Sequence, residues 1–393
     1  MRPLEGITVI TLEHAIAGPF ATRQLADLGA RVIKVERPGV GDFARGYDER
    51  VHGLASHFVW TNRSKESLTL DVKHPEAQKI LQRLVAEEAD ILVQNLAPGA
   101  AARLGLSYEA LSAIKPGIIV CDISGYGNDG PYRDKKAYDL LIQSESGFVS
   151  VTGTEDEPSK AGPSIADISA GMYAYSNILA ALLQKQITGR GQHLDISMLE
   201  SLVEWMNYPL YYSIDGATPP RRTGASHATI YPYGPFPAGD GKNVMLGLQN
   251  EREWAAFCDK VLLRADLGKE GRFSSNSKRS AAREELRNII IEAFSGLTAE
   301  QVIERLESAQ IANAHLNTMQ DVWDHPQLKG RNRWREIDTA VGKVPALLPP
   351  GSWTECEPRM DAVPALGQHT EAILGKLGYS ADAIAELRAA GAI

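Results

Sequence analysis

Asp167 is the residue of this chain with the most chemistry to offer. It stands in Pro163-Ser164-Ile165-Ala166-Asp167-Ile168-Ser169-Ala170-Gly171-Met172-Tyr173-Ala174, directly before the largely apolar run Tyr175 to Leu183. A lone carboxylate in apolar and small company is costly unless it is exposed, capping a helix, or used. Two readings are open. One is a helix N-cap, accepting hydrogen bonds from the first free backbone N–H groups. The other is a carboxylate nucleophile at a helix N-terminus, where the dipole and free N–H groups favour negative charge.

Cations come next. Arg37 and Lys73 follow expected strand ends, and Arg103 and Lys136 add two more before Asp167. Each alone reads as a solvated surface charge. Four at corresponding places in an α/β fold could hold a polyphosphate beyond the carboxyl ends of the strands. His14 and His227 are isolated, and Ser164, Ser169 and Ser197 lack a nucleophile-elbow context, so no catalytic triad is recognisable. The turn Glu13-His14-Ala15-Ile16-Ala17-Gly18-Pro19 has one glycine where a dinucleotide fingerprint needs three, which disfavours NAD despite Glu36 at the end of the second strand. The helix N-terminus after Pro19 could still meet a phosphate.

These residues need elements to position them. Ile7–Leu12 and Arg31–Glu36 read as strands around a helix Phe20–Leu28 ended by Gly29, a βαβ unit. Ala89–Gln94, Ile118–Ile123 and His193–Ser197 continue as strands, alternating with helical Pro75–Glu88, Tyr108–Ile114, Ala174–Gln184 and Leu199–Tyr211. That is an α/β pattern, a Rossmann-like doubly wound parallel sheet. Near residue 215 the texture changes, and Ala217–Gly241, rich in proline and glycine, reads as a linker to a smaller α/β domain. There Val244–Leu248 is an expected strand, and Glu251–Leu263, Lys278–Phe294 and Ala299–Ala309 expected helices. Val344–Trp353 reads as a proline-rich crossing, followed by amphipathic helices Thr370–Leu377 and Ala381–Ala389. The expected division is 1–215 as the large Rossmann-like domain, 216–330 as linker and small domain, and 331–393 as a segment returning to the large one.

Composition bounds the function. The 393 residues are 44% apolar and 23% charged, enough for a sizeable core, and the net charge of −8 argues against non-specific nucleic-acid binding. Cys121, Cys258 and Cys356 are too widely spaced for a disulfide framework or a metal site. The first six residues carry no signal-peptide core, and no apolar stretch has membrane-spanning length. The expectation is a cytoplasmic protein with no metal and no membrane partner.

Several segments together resemble the class III CoA-transferase family, which contains formyl-CoA:oxalate and carnitine CoA-transferases. They are Pro3-Leu4-Glu5-Gly6-Ile7 with His14 to Pro19, Gly29 to Glu36, Asn62-Arg63-Ser64-Lys65 through Lys73, and Asn95-Leu96-Ala97-Pro98-Gly99. Gly125-Tyr126-Gly127, the Asp167 segment, Thr188 to His193, and Leu366-Gly367-Gln368-His369-Thr370 follow in order. The resemblance implies that Asp167 is the nucleophile and that His14, Ala15 and Ile16 form a CoA-contacting loop. It implies further CoA contacts at Arg37, Leu70, Lys73, Asn95, Leu96, Arg103 and Lys136. It implies two ring-shaped chains interlocked as a homodimer. The implied substrates are an acyl-CoA and a small carboxylic acid, with CoA entering as a thioester substrate and no tightly bound cofactor. Backbone N–H groups near the Asp167 helix would stabilise the oxyanions.

Within the family, Tyr231-Pro232-Tyr233-Gly234-Pro235-Phe236 stands near where the oxalate enzymes carry consecutive glycines. His227-Ala228-Thr229-Ile230 before it resembles the branch acting on C4–C5 dicarboxylic acids such as itaconate, mesaconate or citramalate. A second carboxylate calls for a cation, and Arg221, Arg222 and Arg252 are candidates. Tyr138, Asp139 and His227 are further candidates for contacting the acid. One rival is a 2-methylacyl-CoA racemase, which places a histidine where this chain has Tyr138; a tyrosine, with an ordinary pKa near ~10, suits that proton transfer poorly. The other rival is a non-catalytic CoA-binding protein.

Overall fold

The computed structural model of the chain describes residues 1–393. Met1–Gly147, Ala161–Met206 and Leu328–Ile393 form one compact unit; Phe148–Lys160 and Asn207–Gln327 form a second. No helix is long and apolar enough to cross a membrane.

The first unit is built on β1 (Thr8–Leu12), β2 (Arg31–Glu36), β3 (Lys65–Thr69), β4 (Ile91–Gln94), β5 (Ile119–Ser124) and β6 (His193–Ser197). They pair in parallel in the order β3-β2-β1-β4-β5-β6. This is the doubly wound order, with its switch point between β1 and β4. Among the helices are α1 (Ala17–Asp27), α2 (Pro75–Glu88), α3 (Tyr108–Ile114), α4 (Asp139–Glu145), α5 (Ile165–Thr188) and α6 (Met198–Trp205). Local chemistry sets several of their ends. Pro75 stands in the first turn of α2, where its missing N–H costs nothing, and Ser107 caps α3 by accepting the Ala110 N–H. One face of the sheet buries Ile10, Leu12, Ile33, Val35 and Leu68 against Ile80, Leu81 and Leu84 of α2.

The second unit pairs β7 (Tyr233–Pro237), β8 (Asn243–Gly247) and β9 (Ala312–His315) in an antiparallel sheet. Trp254 from α7 (Glu251–Ala256) packs in one core with Phe294 from α8 (Arg283–Phe294) and Val302 and Leu306 from α9 (Ala299–Ser308).

After it the chain forms a hairpin, β10 (Trp334–Thr339) with β11 (Gly342–Leu347), then α10 (Thr370–Lys376) and α11 (Ala381–Ala389). This segment closes the open edge of the first sheet. The Ser67 N–H donates to His369 Nδ1 at 3.1 Å and the Thr69 N–H to Thr370 Oγ1 at 3.0 Å, so groups that β3 would leave unpaired are satisfied. Ile373, Leu374 and Leu377 enter the same core as α2, each burial worth about 2 kcal/mol.

Several expectations need correction. The second unit starts at Asn207 rather than 216 and also takes in Phe148–Lys160. Arg222 explains the latter: Nε donates to Thr154 O at 2.8 Å and Nη2 to Glu155 O at 2.7 Å, while the Gly224 N–H donates to Gly153 O at 2.7 Å. The expected linker Ala217–Gly241 contains β7, and the expected crossing Val344–Trp353 begins inside β11. Prolines hid both strands, yet each lies at a sheet edge, where a missing N–H is tolerated. The expected helix Leu199–Tyr211 breaks at Met206, and Lys278–Phe294 breaks at Ala282. The helix expected from Ala174 begins instead at Ile165, which puts Asp167 inside its first turn.

Candidate active site

The loop after β1 is held from three sides. The His14 N–H donates to Asn95 Oδ1 at 2.8 Å, and Asn95 Nδ2 donates back to His14 O at 2.9 Å. Asn95 follows β4, so this exchange joins the two strands that flank the switch point. Ala15 has φ +61°, a left-handed conformation an alanine adopts only under constraint, and its N–H donates to Asp42 Oδ1 at 3.1 Å. His14 stacks on Phe43 at 5.2 Å and keeps Nδ1 without a hydrogen-bond partner, 3.8 Å from Asp42. Ile16, buried, stands at the N-cap of α1.

Below the loop lies a buried charge network that sequence reasoning missed. Lys34 Nζ donates to Asp42 Oδ2 at 2.8 Å, and Lys65 Nζ to Glu13 Oε1 at 2.6 Å, Pro19 O at 3.0 Å and Asn62 Oδ1 at 3.1 Å. Thr11 and Thr22 donate to Glu13 Oε2. Burial alone would raise Glu13, but Lys65 and Lys34 outweigh it and hold its carboxyl at about 2. Asp42 is likewise held low, with Lys34 outweighing burial. Two carboxylates thus face two ammonium groups, and removing one would strand a buried charge at a cost of about 3–5 kcal/mol. A signal was available: Lys34 and Glu36 interrupt β2, a strand of a parallel sheet covered on both faces.

Arg37, Lys73, Arg103 and Lys136 are all exposed, and along the chain each follows the carboxyl end of a different strand of the parallel sheet. Gly99, with φ +71°, begins the turn before Arg103, whose Nη1 lies 3.1 Å from where a Cβ on that glycine would stand. Leu96 is half-buried, its N–H taken by Gln94 Oε1 at 2.7 Å. Leu70 buries its side chain in the core, and its N–H donates to Glu36 O.

Asp167 is the third residue of α5 and half-buried. It is not the cap; Ser164 stands at that position and makes no side-chain cap bond. The cap comes from Asp139, whose Oδ1 accepts the N–H groups of Ala166 at 2.8 Å and Asp167 at 3.1 Å. Those two N–H groups are therefore not free to stabilise an oxyanion. Burial, with the charge of Asp139 beside it, pushes the Asp167 carboxyl up to about 7, and no hydrogen bond or cation opposes this. One turn on, a Cβ on Gly171 would stand 2.8 Å from Ala17 O and 2.9 Å from Phe20 Cδ1. That close approach sets the first turns of α5 beside the start of α1, and so beside the His14–Ile16 loop. Tyr47 lies within electrostatic reach of both Asp42 and Asp167; burial first, then these charges, push its hydroxyl up to about 12. No motif in the sequence marked Tyr47.

The other acid-contact candidates divide. Tyr138 is 70% exposed at the start of α4. Asp139 already has both oxygens bonded, since Gln143 Nε2 donates to Oδ2 at 2.6 Å. In the second unit Arg222 is committed to main-chain carbonyls of Ser150, Thr154 and Glu155, while Arg221 and Arg252 are exposed. His227 accepts the N–H groups of Thr229 and Ile230 at Nδ1, which leaves its proton on Nε2, and stacks on Tyr233 at 5.3 Å. A separate cavity of about 380 Å³ in the first unit, lined by Gln24, Met172, Tyr175, Arg333 and Trp353, contains none of these residues.

Known proteins resemble this chain over nearly its whole length. The model of CoA-transferase family III matches residues 4–370. Human succinyl-CoA:glutarate CoA-transferase is 34% identical over 398 residues, covering 100% of this chain and 90% of that protein. Succinyl-CoA:mesaconate CoA-transferase of Haloarcula marismortui is 32% identical over 394 residues, covering 96% of this chain and 97% of that one. The crystal structure of a CAIB/BAIF family protein from Brucella suis matches with TM-score 0.84 and 33% identity, covering 96% of this chain and 99% of that one. The chain belongs to CoA-transferase family III.

Proposed function

We propose that this CoA-transferase moves CoA from succinyl-CoA to a C4–C5 dicarboxylic acid of the itaconate, mesaconate, citramalate or glutarate type, with Asp167 as nucleophile. The observation that carries the reading is the Asp167 carboxylate itself, half-buried beside the switch-point loop with no cation or hydrogen bond to satisfy it. A carboxylate oxygen of Asp167 attacks the thioester carbonyl, and the C–S bond breaks to give a mixed anhydride and CoA thiolate. The thiolate attacks the aspartyl carbonyl, releasing succinate and leaving an aspartyl-CoA thioester. The incoming acid attacks that thioester through one carboxylate, expelling the thiolate and forming a second anhydride. The thiolate then attacks its acyl carbonyl and restores Asp167. Charge and protons balance over the cycle.

The loop His14–Ile16 and Asn95 receive the CoA thioester at the switch point, with Arg37, Lys73, Arg103 and Lys136 neutralising its phosphates. The acid's second carboxylate needs a cation to offset its desolvation, and Arg221 and Arg252 are the candidates whose guanidinium groups remain exposed. The names of the human and Haloarcula relatives, each pairing succinyl-CoA with a five-carbon dicarboxylate, support a dicarboxylic acceptor. The chain works as an interlocked homodimer in the cytoplasm. Exposure of 64% at Leu183 and 87% at Ile187 on α5 supports a partner, since large apolar side chains left bare on one helix mark an interaction surface.

The test is a panel of labelled acids with succinyl-CoA. Exchange of label into acyl-CoA is expected for the dicarboxylates, with kcat/KM on the order of a hundredfold above the monocarboxylic analogue of equal length, the value of a charge-assisted contact of roughly 2–4 kcal/mol. Equal values for the two acids would refute dicarboxylate recognition. Stereochemical scrambling without exchange would mean a racemase, and neither activity a binder.

A further inference from the structure

Asp139 stands beside Asp167 at the first turn of α5. Both of its oxygens are engaged, Oδ1 by the N–H groups of Ala166 and Asp167 and Oδ2 by Gln143 Nε2. Gln143 is fully buried, and its Oε1 accepts the Ala161 N–H at 2.9 Å. The chain of contacts from Ala161 through Gln143 and Asp139 to the first turn of α5 leaves Asp139 no freedom to swing toward a ligand. An anion so fixed would also repel a dicarboxylic acid.

We propose that Asp139 is the positioning residue that keeps Asp167 a basic, reactive carboxylate, by withholding the helix N–H groups from it and by placing a negative charge beside it. The inference rests on Asp167 being the nucleophile. A carboxylate in the first turn of a helix is ordinarily stabilised by the free N–H groups and the dipole there. Here those groups point at Asp139 instead, and the like charge disfavours ionisation of Asp167 further. Acylation relieves the conflict, because Asp167 is neutral both in the anhydride and in the thioester. The ground-state carboxylate is thus raised relative to the states it must reach.

Other charges around α5 are directed elsewhere. On α4, Glu145 pairs with Lys135; on α1, Arg23 pairs with Asp27, which also holds Arg63. Asp122 of β5 pairs with His193 of β6, and Asp195 of β6 accepts the Asn128 N–H. Glu200 and Glu204 lie on α6, and Tyr47 and Tyr138 flank the site. Of the ionisable groups on these elements, Asp139 is the one whose charge moves Asp167.

The experiment compares the full-length wild type with Asp139→Asn and with the double variant Asp139→Asn/Gln143→Glu. The double variant can keep all four hydrogen bonds while moving the charge away from Asp167. For each, kcat/KM for succinyl-CoA is measured against pH, and CoA bound covalently to Asp167 is followed by mass spectrometry. The wild-type acid limb is expected near pH 7. In Asp139→Asn it should move down by at least one pH unit, with the rate above pH 8 falling at least tenfold. The double variant should lie between the two. If Asp139→Asn does not fold, a downward limb in the double variant supports the proposal and an unmoved limb overturns it. An unmoved limb in folded Asp139→Asn overturns it too, even if the rate falls, because that result describes a structural cap. A wild type that exchanges acids without any adduct on Asp167 defeats the nucleophile reading instead.

Discussion

Asp167 carries a cost in the folded protein that follows from its burial beside Asp139. Its folded pKa of about 7 lies above the ordinary carboxyl value of 3.8, so between those values the folded state binds more protons than the unfolded one. Stability from this group is therefore present below pH 3.8 and lost as pH rises through about 7. Asp167→Asn removes that loss. The variant should transfer no CoA and should melt at a higher temperature than the wild type at pH 7.5, with the difference vanishing near pH 4. Thermal melts at the two pH values check this; a lower melting temperature at pH 7.5 would show that the carboxylate holds the fold. The type of residue and its apolar company were legible in the sequence. The choice between cap and nucleophile was not, because the competing cap, Asp139, stands 28 residues from Asp167 along the chain.

At the scale of elements, α5 positions the site through its contact with α1. Alanine in a helix interior is ordinarily better than glycine by about 1 kcal/mol. At Gly171 the added Cβ meets the backbone oxygen of Ala17, which cannot step aside cheaply, so overpacking of about 1–3 kcal/mol should exceed that gain. Gly171→Ala should lower the urea midpoint and reduce kcat at least tenfold by shifting the first turns of α5. Gly375→Ala in α10, where a Cβ would meet nothing within 4 Å, is the contrast and should leave both unchanged or slightly improved. A Gly171→Ala enzyme with wild-type kcat would show that the helix contact does not set the nucleophile. Most strands of the parallel sheet were readable as apolar runs between turn signals. β7 and β11 were not, because their prolines make sense only once the sheet edge is known. The early start of α5 escaped as well, since its first turn is capped from α4 rather than by its own N-cap residue.

For the whole molecule, the chain order of the sheet explains how scattered residues converge. The loops after β1 and β4 meet at the switch point, and Asn95 and His14 exchange hydrogen bonds there although 81 residues separate them. If the proposed dimer is interlocked, its subunits cannot part without partial unfolding, so it should persist at nanomolar concentration by mass photometry. A folded, active monomer there would contradict that assembly. Pairing of two chains was never legible from periodicity or spacing; it came only with the family resemblance.

The proposed route passes CoA through a thioester on Asp167. It is tested by mixing the protein with succinyl-CoA alone, quenching with acid, digesting, and weighing the peptide that contains Asp167. This peptide should gain the mass of CoA joined as a thioester, the gain should disappear when an acceptor acid is added before quenching, and Asp167→Asn should never show it. Transfer at the full rate with no such adduct, or an adduct on another residue that survives Asp167→Asn, would contradict it.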